Sequence, residues 1–424
     1  MRTALIFLLA FLSALTGCQK GPVAGKPLDS WTEGTLEIHS INTGRGESFF
    51  YILPDGTTLL IDASGANPLD DEEESHGHRY CPAKPSEDVS SGEVVAEYIR
   101  HFMPKVADGT IDYSIITHYH GDHMGIVIEG MDVHPEGGFI VSGITEVGSK
   151  IKIRTAMDRG DVMDPPSKNS FSDRTKLRYG NYLRFLEWSK EKYGTERVVV
   201  TPGALDQIAL RHAPMEDFHI RMLAAGGRVW DGAEGTVTRL PSTEELLSFG
   251  PSKNAAPENI LSVALHLRYG NFDWYTGGDC QYRGRSTNEY NDIEEPISKV
   301  MGHVEGMKAD HHATNATNSP ELLAALTPDF VIAGTWKENH PNPETVKRFF
   351  AANPEVKFMT TNFTEATRKY LTDEGVDPET FLAKQGHIVV RVAPGGFSYT
   401  IFILDDSDTK YRVAAIHGPF TCKP

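Results

Sequence analysis

The 424-residue sequence has no apolar run long enough to cross a bilayer. The apolar run Ala4 to Leu15 ends at Thr16-Gly17-Cys18, short of the roughly 20 residues that a membrane-spanning helix needs. Cysteine is scarce, four residues in the whole chain, so no disulfide framework organises it. Basic residues are outnumbered: 41 Lys and Arg against 58 Asp and Glu leave a formal charge of −17. That deficit disfavours tight, sequence-independent binding to nucleic acid, which rests on Lys and Arg contacts to phosphates. It is compatible with a local basic groove. Internal repeats and low-complexity blocks are also missing.

What is there begins with Arg2, an apolar core of about 12 residues and small residues before a cleavage point, the pattern of a secretory signal. A Cys directly after Leu15-Thr16-Gly17 resembles a bacterial lipobox, which implies cleavage before Cys18 and lipidation of it. Gln19 at the next position resembles lipoproteins sorted to an outer membrane. Residues 18–33 are rich in Gly, Pro, Lys and Ser and read as a tether. The expected organisation is a signal peptide over 1–17, the tether, and one domain over 34–424 with insertions at about 66–92, 130–173 and 202–257. The expected location is a bacterial membrane, held through the lipid alone, on the periplasmic or cell-surface face. Lipidation would leave Cys81, Cys280 and Cys422. Cys280 follows a candidate metal ligand, so the pairing expected is Cys81 with Cys422.

The chemistry concentrates at Thr117-His118-Tyr119-His120-Gly121-Asp122-His123, which reads H-x-H-x-D-H from His118. The apolar, β-branched stretch Tyr113 to Thr117 precedes it and reads as a buried strand. A strand end is rigid and faces outward. Imidazole and carboxylate suit Zn²⁺ and its neighbours. In H-x-H on an extended chain the two rings point to the same side and can share one ion. Asp122 and His123 point elsewhere and suit a second. Two metals roughly 3.5–4 Å apart polarise an ester or phosphoryl oxygen and hold a hydroxide nucleophile.

This stretch resembles the signature of the metallo-β-lactamase superfamily. The resemblance implies an αββα sandwich of two mixed β-sheets, with His118 and His120 on metal 1 and Asp122 and His123 on metal 2. It extends along the chain. Asp62 ends the apolar strand Thr58 to Ile61, where the family has an Asp that orients a metal-binding His. Gly44-Arg45-Gly46-Glu47 and the hairpin after it look like the hydrolase domain of ComEC-type competence proteins, whose pattern is Gly-Gln-Gly-Asp. Thr276-Gly277-Gly278-Asp279 resembles the strand closing in Thr-Gly-Asp, which makes Asp279 the bridge between metals. Asp310-His311-His312-Ala313-Thr314 stands where ComEC-type domains carry His-His-Gly-Ser. By that match His312 binds metal 2 and His311 faces the substrate. Asn339-His340-Pro341 resembles their Asn-x-x-His-Pro segment, and His340 would help the leaving group. The family's third His on metal 1 has no clear counterpart; Asp158, His212 and His219 all stay open.

The expected cofactor is two Zn²⁺ ions, with Mn²⁺ or Fe²⁺ accepting the same ligands. The expected reaction is hydrolysis of a phosphodiester or related ester, such as an envelope component or another small ester, with Asp122, His311 and His340 in catalytic roles. A lactone, thioester or β-lactam hydrolase and an inactive lipid-anchored binding protein are the alternatives. Oligomeric state is left open. Further expected elements are helices over 93–103 and 175–192, strands over 150–157, 197–201 and 218–223, a second hairpin over 259–279 and a C-terminal hairpin over 386–404.

Overall fold

Short apolar, β-branched runs punctuated by Gly, Pro and Asp turns build two sheets. The computed structural model describes residues 22–66, 79–161, 173–233, 237–239, 258–282 and 292–424. Cys18 lies outside these. In the first sheet are β1 (Leu36–Ser40), β2 (Phe49–Ile52), β3 (Thr58–Ile61), β4 (Thr110–Ile116), β5 (Lys152–Asp158) and β6 (Glu196–Val199). The second sheet comprises β7 (Phe218–Ala225), β8 (Arg228–Trp230), β9 (Val237–Arg239), β10 (Ala264–Tyr269), β11 (Phe272–Thr276), β12 (Gly306–Lys308), β13 (Phe330–Ala333) and β14 (Lys357–Thr360). The chain then returns to the first sheet as β15 (His387–Val392), β16 (Ser398–Leu404) and β17 (Val413–Thr421).

The spatial orders are β17-β16-β15-β1-β2-β3-β4-β5-β6 and β14-β13-β12-β11-β10-β7-β8-β9. Both sheets are mixed. β3 to β6 run parallel, as do β11 to β14, while the β1–β2–β3 meander and the β10–β11 hairpin are antiparallel.

Burial defines four layers. One apolar cluster joins the facing sides of the two sheets, with Leu36, Tyr51 and Ile115 from the first meeting Ile220, Leu267 and Trp274 from the second. A second cluster packs the outer side of the first sheet against the helices Ser91–Phe102, Ile144–Lys150 and Asp173–Tyr193. A third packs the outer side of the second sheet against Glu294–Ser298, Pro320–Leu326 and Pro343–Ala352. The result is an αββα sandwich. Helix boundaries follow the local rules: Ser90 caps Ser91–Phe102 by accepting from the Glu93 N–H, and Pro104 stands just beyond its end.

The expected elements are present with edges moved by a few residues, and β8, β9, β12, β14 and β17 are additional strands. The expected strand over 150–157 is β5, which lies between β4 and β6 inside the sheet. The expected Cys81–Cys422 pairing is corrected: Cys81, Cys280 and Cys422 are all free and buried. Cys81 lies beside Trp336, bonded backbone to backbone, whereas Cys422 bonds Phe397 in the β15–β16 turn.

Candidate metal centre

The site lies where parallel strands end, the usual place for ligands in α/β sheets. β4 leads into His118 to His123, β11 into Asp279, β12 into His311 and His312, and β13 into the loop that carries His340. The H-x-H-x-D-H loop is short, with a single helical turn over Gly121–Met124. Three consecutive residues, His311, His312 and Ala313, hold left-handed φ values of 46°, 56° and 59°. Ala313 adopts the conformation that glycine takes without strain, which explains physically why a Gly suits this position.

Two donor groups share one carboxylate. Asp122, His123, Asp279 and His312 form the first, and His118, His120 and Asp279 the second. In the first, His312 Nε2 is 2.9 Å from Asp122 Oδ2, and His123 Nε2 is 3.1 Å from Asp279 Oδ1. In the second, His118 Nε2 is 3.1 Å from His120 Nδ1 and 3.6 Å from Asp279 Oδ2.

Outer contacts set which nitrogen of each ring faces the cluster. His123 Nδ1 is 2.7 Å from Asp62 Oδ2, and Asp62 also accepts from the Thr117 backbone N–H and hydroxyl. His123 therefore turns Nε2 inward. His312 Nδ1 donates to the Gly334 carbonyl at 2.9 Å and lies 3.1 Å from Glu47 Oε1. Glu47 in turn pairs with the buried Lys308 at 2.9 Å. Burial opposes ionisation of Glu47, but Lys308 and His312 hold its carboxyl below the usual range. Such carboxylate-to-imidazole contacts behind a ligand are the ordinary support of a metal site.

The electrostatics divide the imidazoles. Burial, then the neighbouring His123, holds His118 well below its ordinary range, and burial lowers His120. His311 is pushed down to about 4 by burial. Burial acts the same way on His123 and His312, yet the surrounding carboxylates win: Asp279, Asp122 and Asp62 lift His123, and Glu47 and Asp279 push His312 up to about 9. One half of the cluster thus presents neutral lone pairs, and the other attracts positive charge.

These residues fit a cation. His123 Nε2 and Asp279 Oδ1 are both buried without a hydrogen-bond partner although they face each other. Buried polar atoms are seldom left so. The donor set, imidazole and carboxylate, suits zinc and its neighbours.

The cluster floors a cavity of about 650 Å³ lined by His120, Asp122, His311, His312 and His340, with Arg174, Arg178 and Lys337 and the rings of Tyr80 and Trp336. His311 faces this space, 3.6 Å from Asp279 Oδ2. His340 stacks on His312 with ring centroids 5.1 Å apart. Burial, then His312 and Lys337, holds His340 well below its ordinary range, so its ring is neutral. Asn259 lies beside His311, its Nδ2 3.3 Å from the ring and its Oδ1 buried without a hydrogen-bond partner.

The three candidates for the extra ligand of metal 1 lie in neither group. Asp158 is held by Arg197 at 2.8 and 3.0 Å, and the backbone of His212 is fixed to Asp55. His219 stands on β7 beside His266. Sequence reasoning missed Asn259, Lys308 and Trp336. Lys308 sits at the end of a buried strand, where Glu47 and the Gly278 and Ala309 carbonyls hold its ammonium, and nothing local marks Asn259.

No protein-family model and no curated protein matches the chain. Solved structures do. A CmlA beta-hydroxylase mutant is 13% identical at a TM-score of 0.34, over 86% of this chain and 55% of that one. Zn(2+)-bound PqqB from Methylobacterium extorquens is 11% identical at 0.34, over 84% and 99%. A protein of unknown function from Enterococcus faecalis is 9% identical at 0.27, over 82% and 73%. The chain spans about half the length of the hydroxylase. At such scores the matches assign no residue a role, and the fold rests on the four layers described above. The chain has the αββα fold that the metallo-β-lactamase resemblance implies.

Proposed function

We propose that the chain is a metal-dependent hydrolase of the metallo-β-lactamase superfamily that holds two divalent cations, Zn²⁺ by default, and cleaves a phosphodiester or related ester outside the cytoplasm. The observation that carries this reading is the pair of donor groups sharing Asp279 at the floor of one open cavity. His118, His120 and Asp279 would hold one cation; Asp122, His123, Asp279 and His312 the other. Bound there, two such ions supply Lewis-acid polarisation and a water nucleophile active at neutral pH.

The chain's own residues do the rest. Asp62 and Glu47 aim the rings of His123 and His312. Asp122, on the cavity lining, accepts a proton or hydrogen bond from the attacking group. Neutral His311 and His340 face the same space and hydrogen-bond substrate oxygens, on the attacking and leaving sides respectively. Arg174, Arg178 and Lys337 on the walls favour an anionic ester in spite of the negative overall charge. Cleavage and lipidation at Cys18, and placement at a bacterial outer membrane, belong to the same proposal. Among the described residues no helix is long and apolar enough to cross a membrane.

Metal content by elemental mass spectrometry, measured together with bis-p-nitrophenyl phosphate turnover, tests this. Two cavity equivalents with metal-dependent turnover are expected, both lost in the His118→Ala/Asp279→Ala double variant. Full diester turnover by that variant would sink the reading. Turnover of a lactone, a thioester or nitrocefin without diester turnover would replace the substrate class, and bound metal with no turnover of any ester would leave a binding protein.

A further inference from the structure

A second cluster of ligating side chains lies away from the cavity. β12 and β13 are parallel neighbours whose C-terminal ends lead to the cavity. Their N-terminal ends, on the opposite side of the sheet, are preceded by Glu305 and Asp329. His303 sits two residues before Glu305. His303 Nε2 is 3.9 Å from Glu305 Oε1 and 3.8 Å from Asp329 Oδ2, and one ligand atom from each residue lies within 4.8 Å of the other two.

The tautomer of His303 is decided by its surroundings. Nδ1 is 3.1 Å from the Thr327 carbonyl oxygen, which only accepts, and 3.2 Å from the Thr327 hydroxyl, which can turn to accept as well, so Nδ1 carries the hydrogen. Nε2 then turns toward two carboxylates, buried and without a hydrogen-bond partner. A lone pair facing two carboxylates is repulsive. A protonated ring would draw a carboxylate oxygen to about 2.7–2.9 Å, and neither oxygen is that near. Ligands at about 2.0–2.2 Å from a tetrahedral zinc stand about 3.4 Å apart, so the imidazole nitrogen needs to close by only a few tenths of an ångström on each carboxylate oxygen to share one ion with it.

The carboxylates are also held in place. Glu305 accepts the Asp273 N–H at 2.8 Å and the Lys423 N–H at 2.9 Å. Asp329 Oδ1 pairs with Lys423 Nζ at 2.7 Å, which leaves Oδ2 turned to His303. Two carboxyl groups, Glu305 and Asp329, stand against the single Lys423 side chain, an imbalance that a cation relieves.

We propose that His303, Glu305 and Asp329 form a further metal site that takes a zinc-type divalent cation and clamps together the entering ends of β12 and β13. It needs no catalytic role, and it stands whether or not the cavity holds metal. The test is zinc equivalents per chain, by elemental mass spectrometry, on the full-length protein loaded with Zn²⁺ and desalted. His303→Ala and Asp329→Asn are each expected to bind one equivalent fewer than the unaltered chain. Their bis-p-nitrophenyl phosphate turnover is expected to stay within twofold of it. Zinc is also expected to raise Tm less in both variants. Equal zinc content in the unaltered chain and both variants would overturn the proposal. A cavity that fails to bind metal would lower all three counts together and leave the one-equivalent difference intact.

Discussion

At the scale of single residues, the cluster depends on which nitrogen each ring presents. Asp62 takes three donors, from His123 Nδ1 and from the Thr117 backbone and hydroxyl. Asp62→Ala leaves His123 free to turn. It is expected to weaken metal binding by about 10–100-fold, measured by competition with a chromophoric chelator; unchanged affinity would remove Asp62 from the site. A second residue, outside both donor groups, gives a pH signature. His387 is buried, accepts the Asn42 N–H at 3.0 Å, and is pushed down to about 3 by burial and then by His39. In the unfolded chain it titrates near its ordinary 6.5. Between these values the unfolded state binds the extra proton, so stability falls as pH drops through that window. His387→Gln keeps an acceptor for Asn42. Its denaturation free energy is expected to vary with pH less steeply, by about 1.4 kcal/mol per unit; equal slopes in urea titrations would refute this.

At the scale of elements, the metal-ligand loop is backed by the turn between β1 and β2. Glu47 N–H donates to the Asp122 carbonyl at 2.9 Å, and Gly46 holds φ at 120° with its hydrogen toward the same residue. A Cβ on Gly46 would come within 2.1 Å of the Asp122 oxygen. Gly46→Ala is therefore expected to cost at least roughly 1–3 kcal/mol and to lower metal content with it. Urea denaturation and elemental analysis check both, and a variant with native stability and full metal would show that the turn is not tight. The same turn carries Glu47 to His312, so one short segment of the first sheet supports ligands on both.

At the scale of the whole molecule, a cation held by both donor groups would be a cross-link between sheets. His118 to His123 follow β4 in the first, while Asp279 and His312 follow β11 and β12 in the second. Binding to the folded state alone adds about 4 kcal/mol for a cation present at 1,000 times its Kd. Removing metal with a chelator is expected to lower Tm by several degrees, and Asp279→Ala is expected to abolish most of that shift. A chelator-insensitive Tm would mean that the sheets are held by their apolar interface alone.

Local chemistry made much of this protein legible from its residues. The β-branched run before His118 and the H-x-H-x-D-H spacing place ligands at a strand end, and the Asp-Gly and Gly-Asn turns mark the hairpins. Gly277-Gly278-Asp279 identifies a carboxylate at the end of a buried strand. Each of these features spans about ten residues or fewer, the range over which periodicity and turn preference act. The meeting of distant segments was not legible. Asp122 and His312 are 190 positions apart, and their 2.9 Å approach follows from the register of two sheets. The engagement of Asp158 by Arg197, the placing of Asn259 beside His311, and the joining of His303, Glu305 and Asp329 follow instead from strand order within one sheet, which is equally remote in sequence. Sequence alone determined the donor chemistry and the strand ends that carry it. Tertiary structure decided which donors converge, because convergence depends on the order of strands within each sheet and on packing the two sheets face to face, and no short-range preference encodes either.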